Sequence, residues 1–122
     1  MAASPEAPAL VLKFIYRGNL SFVNRAHPVL HLGRDDGNDI VVASLFASRV
    51  HARVELREGR FVLTDLSSNG SFLLAEDQTG ERAAEVRIQG AEAVLPDRGW
   101  LGIGRPASRH GEHSLRFSIE PG

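Results

Sequence analysis

Val50-His51-Ala52-Arg53-Val54-Glu55-Leu56, then Arg57-Glu58-Gly59-Arg60, then Phe61-Val62-Leu63-Thr64-Asp65-Leu66, is the stretch that decides the fold class. Val50, Ala52, Val54 and Leu56 are apolar, while His51, Arg53 and Glu55 are polar. This alternation is that of a strand with one face on a core and the other in water. It places His51 on the polar face. Glu58-Gly59 is a turn, and Phe61 to Leu66 is the next strand.

The same punctuation runs outward in both directions. Leu10, Leu12, Phe14 and Tyr16 alternate with Val11, Lys13, Ile15 and Arg17, and Arg17-Gly18-Asn19 turns the chain into Leu20 to Val23. Val29 to Leu32 follows Pro28, and Asp39 to Val42 follows the Asp36-Gly37-Asn38 break. Beyond Asn69-Gly70 come Phe72 to Ala75, Glu85 to Ile88, Ala91 to Leu95, Trp100 to Ile103 and Leu115 to Ile119. No long window shows the 3.6-residue period of a helix. Twelve glycines and six prolines separate the runs. The expectation is an all-β sandwich or barrel of about eleven short strands. Residues 1–9, Ala/Pro-rich, read as a disordered lead-in, and 10–120 as one domain.

Bulk properties narrow the function classes. A chain of 122 residues buries about 65% of the surface its unfolded form exposes, enough for a core without a staple. With 14 basic and 15 acidic residues the net charge is −1, which argues against nucleic acid as a partner. There is no cysteine, so disulfides, thiolate metal sites and cysteine nucleophiles are excluded. That fits a reducing, cytoplasmic setting. No apolar run approaches the ~20 residues of a spanning helix, so a membrane is not expected as a partner.

Chemistry-bearing residues gather at strand ends between residues 33 and 71. Gly33-Arg34, Ser48-Arg49-Val50-His51 and Ser67-Ser68-Asn69-Gly70-Ser71 supply two arginines, several hydroxyls and an amide. An arginine fork suits phosphate, and hydroxyls and amides add directional hydrogen bonds.

These motifs, in this order, resemble the signature of the forkhead-associated (FHA) domain. Fourteen positions separate Arg34 from Ser48, and eighteen separate His51 from Asn69. The resemblance implies an eleven-stranded β-sandwich whose loops at one end bind phosphothreonine peptides. It implies that Arg34, Ser48, Arg49 and Ser68 grip the phosphate and that Asn69 holds the peptide main chain. It gives Gly33, Gly70 and His51 structural roles. It also suggests that Phe46, two residues before Ser48, reads a peptide side chain after the phosphothreonine with an apolar preference; folding of Phe46 onto the sandwich is the alternative. The implied partner is a phosphothreonine-containing protein, with no cofactor and no reaction catalysed. Such domains are often parts of larger signalling proteins, and this one resembles bacterial modules, including those fused to nucleotide cyclases. The alternative function is a phosphate-independent interaction or dimerisation module.

Other readings are weaker. Ser48, His51 and Asp65 are the residue types of a hydrolase triad. On one strand, however, Ser48 and His51 would lie ~10 Å apart on opposite faces. His110 and His113 lack a third metal ligand. Asp35, Asp36, Asn38 and Asp39 read as a solvated turn, and Ser68 as a residue that caps its own turn. Arg105-Pro106-Ala107-Ser108 reads as a polar loop.

Overall fold

The computed structural model describes residues 9–109 and 111–122. Most of the expected lead-in, residues 1–8, and His110 of the weak histidine pair lie outside the described residues. Eleven strands follow in order: β1 Leu10–Tyr16, β2 Asn19–Val23, β3 Val29–Gly33, β4 Ile40–Val41, β5 Ala52–Arg57, β6 Arg60–Asp65, β7 Ser71–Ala75, β8 Val86–Ile88, β9 Glu92–Val94, β10 Arg98–Ile103 and β11 Leu115–Pro121. Among the described residues a single 3-10 turn, Ala107–Arg109, lies between β10 and β11.

The strands form two sheets. One has six strands in the order β2-β1-β11-β10-β7-β8, and the other has five in the order β4-β3-β5-β6-β9. Only β3 and β4 pair in parallel; the other ladders are antiparallel. The inward positions of both sheets fuse into one core. Leu12, Phe14, Leu63, Leu101 and Phe117 are fully buried in it, and the Phe14 and Phe117 rings meet at 6.2 Å between centroids. Truncating a ring of this kind costs about 3–5 kcal/mol.

Two tight hairpins show why the register is fixed. Tyr16 pairs with Asn19 across Arg17 (φ 48°) and Gly18 (φ 82°), and Arg57 pairs with Arg60 across Glu58 (φ 49°) and Gly59 (φ 77°). Positive φ at both central residues matches the turn whose twist suits a two-residue hairpin.

The structure reverses one expectation. The alternation beginning at Val50 puts His51 on the solvent side, yet Val50 is 47% exposed and His51 is wholly buried. The strand begins only at Ala52, so both residues belong to the preceding loop. There His51 finds polar partners inside the protein. The same fact removes the premise that Ser48 and His51 share a strand.

Strand direction brings the chemistry-bearing loops together. β3 ends at Gly33, β5 begins at Ala52, β6 ends at Asp65 and β7 begins at Ser71. Leu32 lies opposite Ala52, and Ala52 opposite Asp65. The β3–β4, β4–β5 and β6–β7 loops therefore emerge at one end of the sandwich.

A candidate anion-binding loop cluster

The cluster is built on backbone bonds between the loops. Arg34 donates its N–H to the Ser48 carbonyl at 2.9 Å, and Asp35 donates to Arg49 at 3.1 Å. Asn38 reinforces this junction, its Nδ2 reaching the carbonyls of Arg49 (2.8 Å) and Asp35 (2.9 Å). Gly33 permits the approach. A Cβ there would sit 2.3 Å from the Arg49 carbonyl oxygen and 2.8 Å from the His51 nitrogen.

His51 lies beneath the loops. Its Nδ1 accepts the Ser48 backbone N–H at 3.0 Å, so the ring proton is on Nε2, which donates to the Gly70 carbonyl at 2.9 Å. The neutral tautomer thus ties the β4–β5 loop to the β6–β7 loop. Burial pushes the His51 pKa below the ordinary 6.5; the Gly70 bond and the Asp65 carboxylate pull it up but do not overcome burial. With the ring neutral, the 3.9 Å approach of Nε2 to Asp65 Oδ1 is not an ion pair.

Asp65 organises the other half of the base. Its Oδ1 accepts hydroxyl protons from Ser67 and Ser71, both at 2.7 Å. Its Oδ2 accepts the N–H of Gly90 at 2.8 Å and of Ser67 at 3.3 Å. Ser67 Oγ in turn accepts the Gly70 N–H at 2.8 Å. The hydroxyl that caps the Asn69-Gly70 turn is therefore that of Ser67, and Ser68 is exposed at the surface. Residues outside the three loops add braces. Gln89 Nε2 reaches the carbonyls of Ser67 and Ser68, and Arg87 Nη2 reaches the Asn69 carbonyl at 2.9 Å.

Above this base stand the exposed groups. Arg34 and Arg49 are exposed, and among the described residues neither pairs with a carboxylate. Ser48 Oγ accepts the Ser68 N–H at 3.1 Å, which leaves its hydroxyl proton for an outside acceptor. Asn69 Nδ2 donates to the Phe46 carbonyl at 3.0 Å, holding the amide upright between two loops. Phe46 is 46% exposed and does not enter the core; Ala47, at 3% exposure, is the loop residue that does. The Arg105 guanidinium lies 4.8 Å from the Phe46 ring centroid.

All the residues singled out in sequence, Gly33, Arg34, Phe46, Ser48, Arg49, His51, Ser68, Asn69 and Gly70, thus belong to one cluster. Arg87 and Gln89 were not foreseen, and Asn38, Asp65, Ser67 and Ser71 were not foreseen in their bracing roles. An acidic residue, Asp65, at the end of the mostly apolar run Phe61 to Thr64 was the one signal the sequence held for them. The geometry also closes the triad reading. Ser48 Oγ does not reach His51, because both ring nitrogens are engaged by backbone groups. Among the described residues no group of three or more potential metal ligands comes together, and no helix is long and apolar enough to cross a membrane.

Comparison with known proteins agrees with this architecture. No curated protein sequence matches the chain. The FHA-1 domain of Mycobacterium tuberculosis Rv1747 superposes with a TM-score of 0.63 at 27% identity, covering 93% of this chain and 98% of that one. Mycobacterium tuberculosis EmbR, solved in complex with a low-affinity phosphopeptide, superposes at 0.63 with 26% identity, and the match covers 100% of this chain and 27% of EmbR. The MEK1 FHA domain, solved with a HOP1 phosphothreonine peptide, shares the fold at a TM-score of 0.61 and 17% identity, covering 89% of this chain and 96% of that one. The model of the FHA domain family matches residues 30–90, which run from β3 through the braced loops to the end of β8, and the chain belongs to that family.

Proposed function

We propose that this domain binds phosphothreonine in a protein partner and catalyses no reaction. The observation that carries the reading is the group of exposed Arg34, Arg49, Ser68 and Asn69 with the half-buried Ser48, gathered from three loops over a braced base. A phosphate near neutral pH carries about −1.5 to −2 charges and three acceptor oxygens. Arg34 and Arg49 supply forked, permanent positive charge, and Ser48 and Ser68 supply short O–H donors. In this reading Asn69 bonds the peptide main chain, which adds affinity with little demand on side chains. The phosphopeptides held by EmbR and by the MEK1 FHA domain support the assignment by analogy.

Preorganisation strengthens the case. Arg34, Ser48 and Asn69 are each anchored to a neighbouring loop before any ligand arrives. The loop backbones then need little ordering on binding, and the remaining cost falls on the Arg34 and Arg49 side chains. A charge-assisted bond contributes about 1.5–3 kcal/mol, so losing one arginine costs an order of magnitude or more in affinity.

The test is calorimetric titration with phosphothreonine peptides, their unphosphorylated copies and the Arg34→Ala variant. Binding should require phosphate and fall at least about tenfold in Arg34→Ala, with thermal unfolding unchanged within about 0.5 kcal/mol. Undiminished affinity in the variant would refute the role given to Arg34. One observation favours an additional phosphate-independent surface: Ile15, Leu20 and Phe22 are exposed on the outer side of the β1–β2 pair. Sedimentation of the unliganded domain as a dimer would support it.

A further inference from the structure

Beside Asn69, away from the β3–β4 loop, lies an open concavity of about 490 Å³. Phe46, Phe72, Asn69, Arg87 and Arg105 line it, with the backbone of Gly104. Each arginine is laid over an aromatic ring. Arg105 Cζ is 4.8 Å from the Phe46 centroid, and Arg87 Cζ is 5.7 Å from that of Phe72. The Arg105 side chain forms no hydrogen bond or ion pair among the described residues, so its donors remain for a ligand, whereas Nη2 of Arg87 is already engaged.

The floor is fixed. Gly104 donates its N–H to the Gly70 carbonyl at 3.0 Å, and a Cβ on Gly104 would fall 2.0 Å from the Phe46 carbonyl oxygen. Arg87 is held by the Asn69 carbonyl and by Gln89 Oε1. No carboxylate lines the concavity, and among the described residues neither arginine forms an ion pair. Glu85, close to Arg87 in sequence, is taken by the N–H and hydroxyl of Ser108.

We propose that this concavity is a second anion subsite, so that the peptide seated at Arg34 and Ser48 carries another anionic side chain on the Asn69 side of its phosphothreonine. The inference rests on the phosphothreonine reading of the loop cluster and names the class of partner: an acidic or doubly phosphorylated segment. It replaces the apolar preference that Phe46 alone suggests, because the Arg105 guanidinium overlies the ring.

The experiment is a positional scan of phosphothreonine peptides carrying alanine, glutamate, lysine or phosphoserine at each flanking position, titrated against the domain and against Arg105→Ala and Arg105→Glu. Arg105 is an exposed loop residue, so the variants should keep the fold, which thermal unfolding checks. At one position glutamate or phosphoserine should bind about threefold to tenfold tighter than alanine. Glutamate in the lead identifies an acidic partner, and phosphoserine a doubly phosphorylated one. Arg105→Ala should erase that ratio, and Arg105→Glu should turn it toward lysine. Equal affinities at every position, with binding still phosphate-dependent, would overturn this inference and leave the phosphothreonine reading standing. A ratio that survives in Arg105→Ala would overturn it as well. Failure of every phosphopeptide would overturn both.

Discussion

Asp65 and Arg34 both carry ionisable side chains at the same end of the sandwich, and their surroundings are opposite. Asp65 is buried, and both its oxygens are taken by hydroxyls and N–H groups of its own chain. Arg34 is exposed, and its guanidinium bonds to nothing among the described residues; only its backbone N–H is engaged. The layer below the loops, with His51 and Ser71, spends its polar groups on shape. In the layer above, Ser48 and Asn69 also bond across loops, but the guanidinium groups of Arg34 and Arg49 remain unpaired among the described residues. Buried polar groups are costly unless satisfied, so the lower layer tolerates little change, while the exposed side chains of Arg34 and Arg49 can vary without harm to the fold.

The largest expected effect comes from breaking the lower layer. Asp65→Ala leaves two serine hydroxyls and the Gly90 N–H without their acceptor. Stability should fall by about 3 kcal/mol or more, read from denaturant unfolding. A loss below about 1 kcal/mol would show that water replaces the carboxylate and that the two layers differ less than their contacts imply. Next comes the junction of the layers. Gly33→Ala drives a methyl into the Arg49 carbonyl, which cannot yield without moving Ser48 and Arg49. It should cost about 1–3 kcal/mol and weaken phosphopeptide binding as well, the one substitution here expected to do both. Undisturbed binding in that variant would mean that the loop tolerates the shift.

Which layer was legible in the sequence follows from the same contrast. The strands were plain, because alternation such as Leu115-Arg116-Phe117 reports a local choice between core and solvent. The upper layer was legible through motifs in order, Arg34, Ser48 and Asn69. The lower layer was not. His51 looks exposed by alternation, and only the Ser48 N–H and the Gly70 carbonyl, brought in by other segments, make its burial tolerable. Gln89 and Arg87 brace a loop some twenty residues earlier in the chain, and nothing in the sequence nearby signals it. Partners distant in sequence leave no local period to read.

The smallest effect is a dependence on pH, and it isolates the lower layer. Burial lowers the His51 pKa in the folded state below the 6.5 of a solvated histidine. Between those two values the unfolded chain binds more protons than the folded one, so stability falls as the solution is acidified. The contribution is fully present above pH 6.5 and is lost as pH drops toward and through the folded value. The slope from this residue is at most about 1.4 kcal/mol per pH unit. Unfolding curves of the wild type should therefore weaken below pH 6.5, and His51→Gln should show a shallower slope on a lower baseline. Ring NMR titration separates His51 from the other histidines. A His51 ring that titrates at or above 6.5 would mean that Nδ1 takes the proton and gives up the Ser48 N–H at little cost, and the lower layer would then be less rigid than its hydrogen bonds require.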